Sequence, residues 1–416
     1  MGDLRSNRPF MSLLSGRVIT NMGDSLYFIA AMWLVYDLSG STLYTGLAGF
    51  LIRGPAAMQF LLGPLIDNMS LRKLLVGTQL IQSVVLLFVP IVAFTGNLSV
   101  WVVLAVLPII SFFNKFVYPA QSAALPQLVD DEQLVRANSL FAIARNSLDM
   151  VFNAISGVII AAIGAVSIFV INSVTFLVAA MLFWGVAVER PNNETEGDGK
   201  VEQYKNSLVE GGRYIRGSLI MVIVYASLVT NFVFGAGIAV FPAFADQIGG
   251  AAVYGFLMAA MGAGVLVGSI LSNYVDKYPY GWFQIYTKPI AGLLLAAGVY
   301  LLWLPGTVFL IFSAFIFFGM SGPMTQALIQ SGIDESLLGR VSSLIGSLGT
   351  VMIPLGSLLG GFFAQYIGIN TVLYGVAAAT IVFGLYFFVH PQLRKIPPVD
   401  EVNESVLGIE RDVASS

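Results

Sequence analysis

Residues 189–216 read ERPNNETEGDGKVEQYKNSLVEGGRYIR, the one long polar stretch in a chain of 416 residues. On both sides the sequence is built from apolar runs of about 20 residues, the length that crosses ~30 Å of hydrocarbon as an α-helix. The runs before it cover 12–36, 43–66, 74–94, 100–120, 138–162 and 166–188. Those after it cover 218–245, 253–275, 280–304, 307–330, 341–365 and 371–389. Six runs on each side predict an all-α membrane protein of twelve transmembrane helices in two six-helix bundles. The expected domains are an N-terminal bundle (1–188), a cytoplasmic linker (189–216), a C-terminal bundle (217–390) and a polar cytoplasmic tail (391–416). The linker is expected to end in an amphipathic helix lying on the membrane surface.

Composition supports lipid as the main solvent. The chain is 57% hydrophobic and 10% charged, whereas a soluble domain carries roughly 25% charged residues. With no cysteine there is no disulfide framework, thiol nucleophile or thiolate metal site. A single histidine, His390, excludes multi-histidine metal centres and most histidine-based catalysis; it falls at the end of the twelfth run and reads as structural. The sequence therefore predicts no enzyme, no cofactor and no metal. It predicts a monomer whose partners are a small-molecule substrate, protons and the bilayer, with no nucleic acid. There is no Walker sequence to bind ATP. The polar start runs into an apolar stretch too long for a signal peptide, so the first helix is expected to stay in the protein.

Lysine and arginine favour the cytoplasmic side of a membrane. With both termini inside, sixteen of the twenty basic residues fall on inner segments, Arg17, Arg72, Lys73, Arg136, Arg213, Arg216, Lys277 and Arg340 among them. The other four, Arg53, Lys115, Arg145 and Lys288, lie within spans, and the outer loops have none. This asymmetry predicts cytoplasmic termini in a plasma membrane, in a protein of bacterial type.

The two halves repeat one another. An offset of 209 superposes Asp37 on Asp246, Gly46 on Gly255 and Asp67 on Asp276. An offset of 204 superposes Pro119 on Pro323, Arg136 on Arg340, Leu140 on Leu344, Gly157 on Gly361 and Gly164 on Gly368. Parallel repeats of six helices pair around an axis along the membrane normal and bind substrate near the midplane, as alternating access requires.

A charge inside hydrocarbon costs ~2.5–3.5 kcal/mol on insertion scales, so those that persist are functional candidates. There are six: Asp24, Arg53, Lys115, Arg145, Asp149 and Lys288. Under the repeat, Asp24 matches Val233, Arg53 matches Gly262, Arg145 matches Gly349 and Asp149 matches Ile353, so the fold itself does not need these charges. Two roles are open for Asp24 and Asp149. One is reversible protonation in a transport cycle, because a carboxyl is neutral in apolar surroundings and ionised beside a cation or water. The other is a static pair, Asp24 with Arg53 or Asp149 with Arg145. The four cations exceed the two acids, which suits an anionic cargo; alternatively Lys115 and Lys288 snorkel toward headgroups. Tyr27, Phe28, Phe232 and Phe234 are candidates to line the pathway.

The loop after the second run reads Gly63-Pro-Leu-Ile-Asp67-Asn-Met-Ser-Leu-Arg72-Lys73. It resembles the signature Gly-x-x-x-Asp-(Arg/Lys)-x-Gly-x-(Arg/Lys)-(Arg/Lys) of the major facilitator superfamily, with Asn68 and Ser70 departing from it. The second-half copy keeps only Asp276 and Lys277. Within the superfamily the chain is similar to the bacterial exporters that include macrolide efflux and enterobactin export proteins. The residues that carry this likeness are Trp33-Leu-Val-Tyr36, Ser39-Gly-Ser41, Leu125-Pro126 and Leu134-Val-Arg136-Ala-Asn138-Ser-Leu140. The drug-exporter motif of the fifth helix is not kept, since Phe152-Asn153 stand where it has Gly-Pro. The resemblance implies a gating loop of Gly63, Asp67, Arg72 and Lys73, with Asp276 and Arg340 as its counterparts. It also implies a proton-coupled exporter of amphipathic or hydrophobic small molecules such as drugs. The alternative is an exporter or flippase of an anionic cargo such as a siderophore or lysophospholipid. A non-transporting membrane enzyme or sensor is the third reading.

Overall fold

A computed structural model of the chain describes residues 4–56, 69–186 and 200–409. Among them are fourteen α-helices, two short 3-10 turns and no strand. Six long elements precede the linker: α1 (Arg8–Ser39), α2 (Thr42–Arg53), α3 (Leu71–Phe94), α4 (Val100–Leu128), α5 (Asp131–Ile163) and α6 (Ala165–Trp184). The linker ends in α7 (Lys200–Tyr214). Six more follow: α8 (Leu219–Ile248), α9 (Ala251–Val275), α10 (Tyr280–Leu301), α11 (Leu304–Ser331), α12 (Glu335–Ile367) and α13 (Ile369–Val389), with a final turn, α14 (Pro391–Arg394).

Among the described residues, nine of these helices are long and apolar enough to cross a membrane. The other three of the twelve are α2, described over only 12 residues, the charged α5, and α10, which carries Gln284 and Lys288. The repeat is visible in where helices begin. Helices α3 and α10 start at Leu71 and Tyr280, 209 residues apart; α4 and α11 start at Val100 and Leu304, 204 apart. The corresponding junctions Gly164 and Gly368 share one backbone conformation, φ 79° and ψ 156° against φ 94° and ψ 149°. That positive φ is open to glycine and strained for other residues.

The chain divides into two compact units. Unit 1 is Met1–Val201 with Gly249–Ala259, and unit 2 is Glu202–Ile248 with Ala260–Ser416. In unit 1, α1 begins after Asn7, whose Oδ1 accepts from the Phe10 N–H at 3.1 Å, with Pro9 in the first turn where a missing N–H costs nothing. Helix α1 then packs on α6, with Gly16 against the Phe183 ring and Gly23 against Asn172 and Thr175. Helix α3 carries its mid-helix polar residues inside and an apolar stripe outside. Thr78, Gln79, Gln82 and Ser83 are buried while Val84, Phe88 and Ile91 are exposed, an outward stripe at helical spacing suited to lipid. Ser83 and Ser173 bond reciprocally, each hydroxyl reaching the other's carbonyl at 2.8–2.9 Å, and tie α3 to α6.

In unit 2 backbones meet directly. Gly356 of α12 lies on the Phe232 carbonyl of α8, Gly235 of α8 on Ile353, and Gly360 on Ala236. Helix pairs in lipid gain no hydrophobic drive from one another, so close van der Waals approach through small residues holds them. Gly264 and Gly268 of α9 play the same part against Phe312 and Ile316 of α11.

The linker helix and the tail are parts of unit 2. Helix α7 places Gly211 on the backbone of Arg340 at the start of α12, and Glu210 pairs with the Arg340 guanidinium. The tail, polar by composition, buries Leu393, Ile396, Val402, Leu407 and Ile409. Its carbonyls accept from helix N-termini that would otherwise be unsatisfied: Tyr280 N–H donates to Pro397 O at 3.1 Å, Gly281 N–H to Ile396 O at 3.3 Å, and Leu219 N–H to Leu407 O at 2.8 Å. Tyr214 donates from Oη to Glu404 Oε1 at 2.7 Å. Burial, and then that hydrogen bond, push the Tyr214 phenol up to about 12. His390 caps α14, its Nδ1 accepting from the Leu393 N–H at 3.4 Å.

Candidate functional site

Each unit holds its own set of intramembrane polar groups, and the two sets differ. In unit 1 they gather on α1, α2 and α4. Asp24 stands at the middle of the 32-residue α1, half-buried. Its Oδ2 accepts from Asn114 Nδ2 of α4 at 2.7 Å. The next residue on α4, Lys115, lies within electrostatic range of both Asp24 and Arg53. Arg53, at the end of the described part of α2, puts its guanidinium 4.6 Å over the Phe28 ring, one turn beyond Asp24. Its charge also reaches Tyr254, which stacks on Trp33 at 5.8 Å. Tyr27 is buried edge-on to Phe169 and feels the Asp24 charge. Asp24, Arg53 and Lys115 are thus brought together, as are the aromatic candidates Tyr27 and Phe28.

Arg17 belongs to the same α1 face, two turns before Asp24. Helix α1 begins at Arg8, four residues before the expected span, and Arg17 lies within it. It is 9% exposed and 5.3 Å from the centre of the Tyr118 ring. Asn114 was missed; a polar amide beside Lys115 in an apolar run was its only signal. The backbone of Arg145 and Asp149 runs in α5, but their side chains lie outside the described residues, as do Gly63 and Asp67. Of the remaining gating candidates, Arg72 places its guanidinium 5.3 Å over the Trp184 ring. Arg340 pairs with Glu210. Asp276 lines a cavity with Lys277, Pro323 and Asp400.

In unit 2 the polar groups form a ladder between α10 and α11. Tyr280 and Thr325 hydroxyls lie 2.8 Å apart. One turn on, Gln284 Nε2 donates to Ser321 Oγ at 3.1 Å, and that hydroxyl points back at Gln284 Oε1 at 3.3 Å. One turn further the rung changes character. Lys288 is 5% exposed and faces aromatic rings, its Nζ 4.9 Å from the centre of Phe318 and 5.4 Å from that of Phe383. Among the described residues no carboxylate pairs with it. Each ring returns roughly 0.5–2 kcal/mol by cation–π attraction, comparable in sum with the ~2.5–3.5 kcal/mol cost of the charge. The rings offer no oxygen to its N–H groups.

Lys288 borders two connected spaces. A polar vestibule of about 630 Å³ is lined by Thr230, Asn231, Ser321, Thr325 and Gln326 among others. A recess of about 50 Å³ is lined mainly by apolar residues such as Val233, Leu295, Phe315 and Val376. Both share Thr230, Phe234, Lys288, Phe318 and Phe383, and neither lining contains an acid. Of the sequence candidates, Phe234 lines both spaces, while Phe232 contributes its backbone to the α8–α12 contact.

Nine described helices long and apolar enough to cross a membrane, with charges at mid-helix depth, define a polytopic membrane protein. The chain belongs to the Major Facilitator Superfamily: that family's model matches residues 13–357. It is thus a member of a transporter family, not of an enzyme family. It is 26% identical over 383 residues to Macrolide efflux protein A of Streptococcus pyogenes, covering 87% of this chain and 90% of that one. It is 21% identical over 403 residues to Multidrug efflux pump Tap of Mycolicibacterium fortuitum, covering 93% and 97%. Among solved structures, the nucleoside transporter NupG superposes with a TM-score of 0.67 at 11% identity, over 92% of this chain and 98% of that chain, a likeness of fold.

Proposed function

We propose that this protein is a proton-coupled exporter of amphipathic or hydrophobic small molecules, working by alternating access in the bacterial plasma membrane with both termini cytoplasmic. The observation that carries the reading is the Asp24 cluster. One carboxylate at mid-helix accepts from Asn114 and lies in range of the Lys115 charge, which in turn lies in range of Arg53. Protonation of such a carboxyl removes its attraction for Lys115, so its charge state is linked to where that cation rests. Asp149 is proposed as a second proton carrier on α5. Two relatives bear the names of efflux pumps, which favours outward transport. Asp276, Arg72, Lys73 and Arg340 are proposed to act with Asp67 at the cytoplasmic ends of the helices, where a carboxylate near a helix N-terminus gains from its dipole.

The test is purified protein in liposomes with an imposed pH gradient. Wild type is expected to couple efflux of a fluorescent amphiphile to proton movement, and Asp24→Asn to break the coupling while the protein still folds. If Asp24→Asn and Asp149→Asn both run as wild type does, proton coupling through these acids is wrong.

A further inference from the structure

We infer that the Lys288 cavity of unit 2 is a binding site for an amphipathic anion, one phosphate or carboxylate on an apolar body. Four observations carry this. The ladder from Tyr280 through Gln284 satisfies itself at its first two rungs and leaves the third, Lys288, with only π-faces as partners. The ammonium carries three N–H donors, and among the described residues no oxygen is shown to accept from them. The vestibule beside it presents the amides of Asn231 and Gln326, groups that donate to an anion without adding charge. The neighbouring recess is lined mainly by apolar residues, which suits an alkyl chain.

The chemistry orders itself accordingly. An anionic head meets Lys288 in a charge-assisted pair of the kind that is short and strong. Its remaining oxygens face the polar wall, and the tail extends toward Phe315 and Val376. A cation placed in the same space meets Lys288 head-on, with no acid in either lining to offset it. Selection against cations is thus built into the site as well as selection for anions. Repeat position sharpens the point. Counting from the starts of α3 and α10, Lys288 corresponds to Gln79, and by the 204 offset Phe318 corresponds to Asn114. The fold accepts a neutral amide at the lysine's position and an amide at the phenylalanine's, so the cation and its aromatic seat belong to unit 2 alone.

The cargo class named here rests on the exporter reading, but the site is measured without transport, so the two fail separately. Full-length protein in nanodiscs of uncharged lipid is titrated with octyl phosphate, octyltrimethylammonium and inorganic phosphate. Octyl phosphate is expected to bind saturably, about tenfold weaker in Lys288→Met and within about threefold of wild type in Lys288→Arg. The trimethylammonium analogue is expected not to compete. Inorganic phosphate is expected to bind far more weakly, because it leaves the recess empty. A second titration uses nanodiscs containing a lysophospholipid with an anionic head. Loss of octyl phosphate binding there assigns the anion to the bilayer, and unchanged binding assigns it to the water phase. Binding that ignores Lys288→Met in a variant with wild-type thermal stability overturns the site. So does equal binding of the cationic analogue. Binding as inferred without pH-driven efflux in liposomes leaves the site standing and sinks the exporter reading.

Discussion

Unit 1 and unit 2 descend from one six-helix pattern yet treat charge in opposite ways. Unit 1 sets a carboxylate among cations: Asp24 accepts from Asn114 and lies in range of Lys115, which in turn lies in range of Arg53. Unit 2 sets one cation among rings, Lys288 between Phe318 and Phe383, in two spaces whose linings hold no acid. A mixed-sign cluster changes its balance when one proton arrives, which suits energy coupling. A lone cation has nothing internal to release and waits for charge from outside, which suits cargo. Two copies of one scaffold thus carry different polar sets, and that difference is what the proposed division between coupling and cargo rests on.

The widest break in this comparison comes from Asp24→Asn, which keeps the shape and the bond to Asn114 but fixes the charge at zero. Proton-coupled efflux in liposomes is expected to fall at least about tenfold, a loss of ~1.4 kcal/mol of coupling, with binding of octyl phosphate unaltered. Val233→Asp makes unit 2 imitate unit 1, since Val233 lines the recess beside Lys288 and matches Asp24 in the repeat. Octyl phosphate affinity is expected to drop by roughly tenfold, the order of one close charge pair, and the trimethylammonium analogue to begin competing. Lys115→Met removes the cation in range of Asp24; proton-coupled efflux is expected to fall by about threefold, less than for Asp24→Asn, because the carboxylate keeps its bond to Asn114. Smallest is Tyr214→Phe at the edge of unit 2. The folded-state phenol sits near 12 against an ordinary 10, so its contribution is intact below pH 10 and fades between 10 and about 12. Hydrogen exchange of the tail amides is expected to rise across that window in wild type and to show no such step in the variant.

Much of the scaffold was legible because lipid writes it in plain terms: run length gave the helices, and lysine and arginine gave their expected orientation. The recurrence of Gly164 at Gly368 marked the repeat, since a positive φ admits little else. Asp24, Arg53 and Lys115 were visible as costly charges, and the structure groups them. Lys288 was visible as a charge, but its surroundings were not. Phe318 and Phe383 come from two other helices, and no local pattern announces which face of α11 meets which face of α10. The tail was read as polar because its buried residues, Leu393, Ile396, Val402, Leu407 and Ile409, follow no helical or alternating period.

That tail has a consequence for biosynthesis. Helices α8 and α10 begin at Leu219 and Tyr280, yet their first N–H groups find acceptors only at Leu407, Pro397 and Ile396. Chains emerge from the N-terminal end at roughly 5–20 residues per second, so these two helix starts wait more than a hundred residues for their partners. A chain cut after α13 is left with both ends open, which makes the tail a late fastening of unit 2.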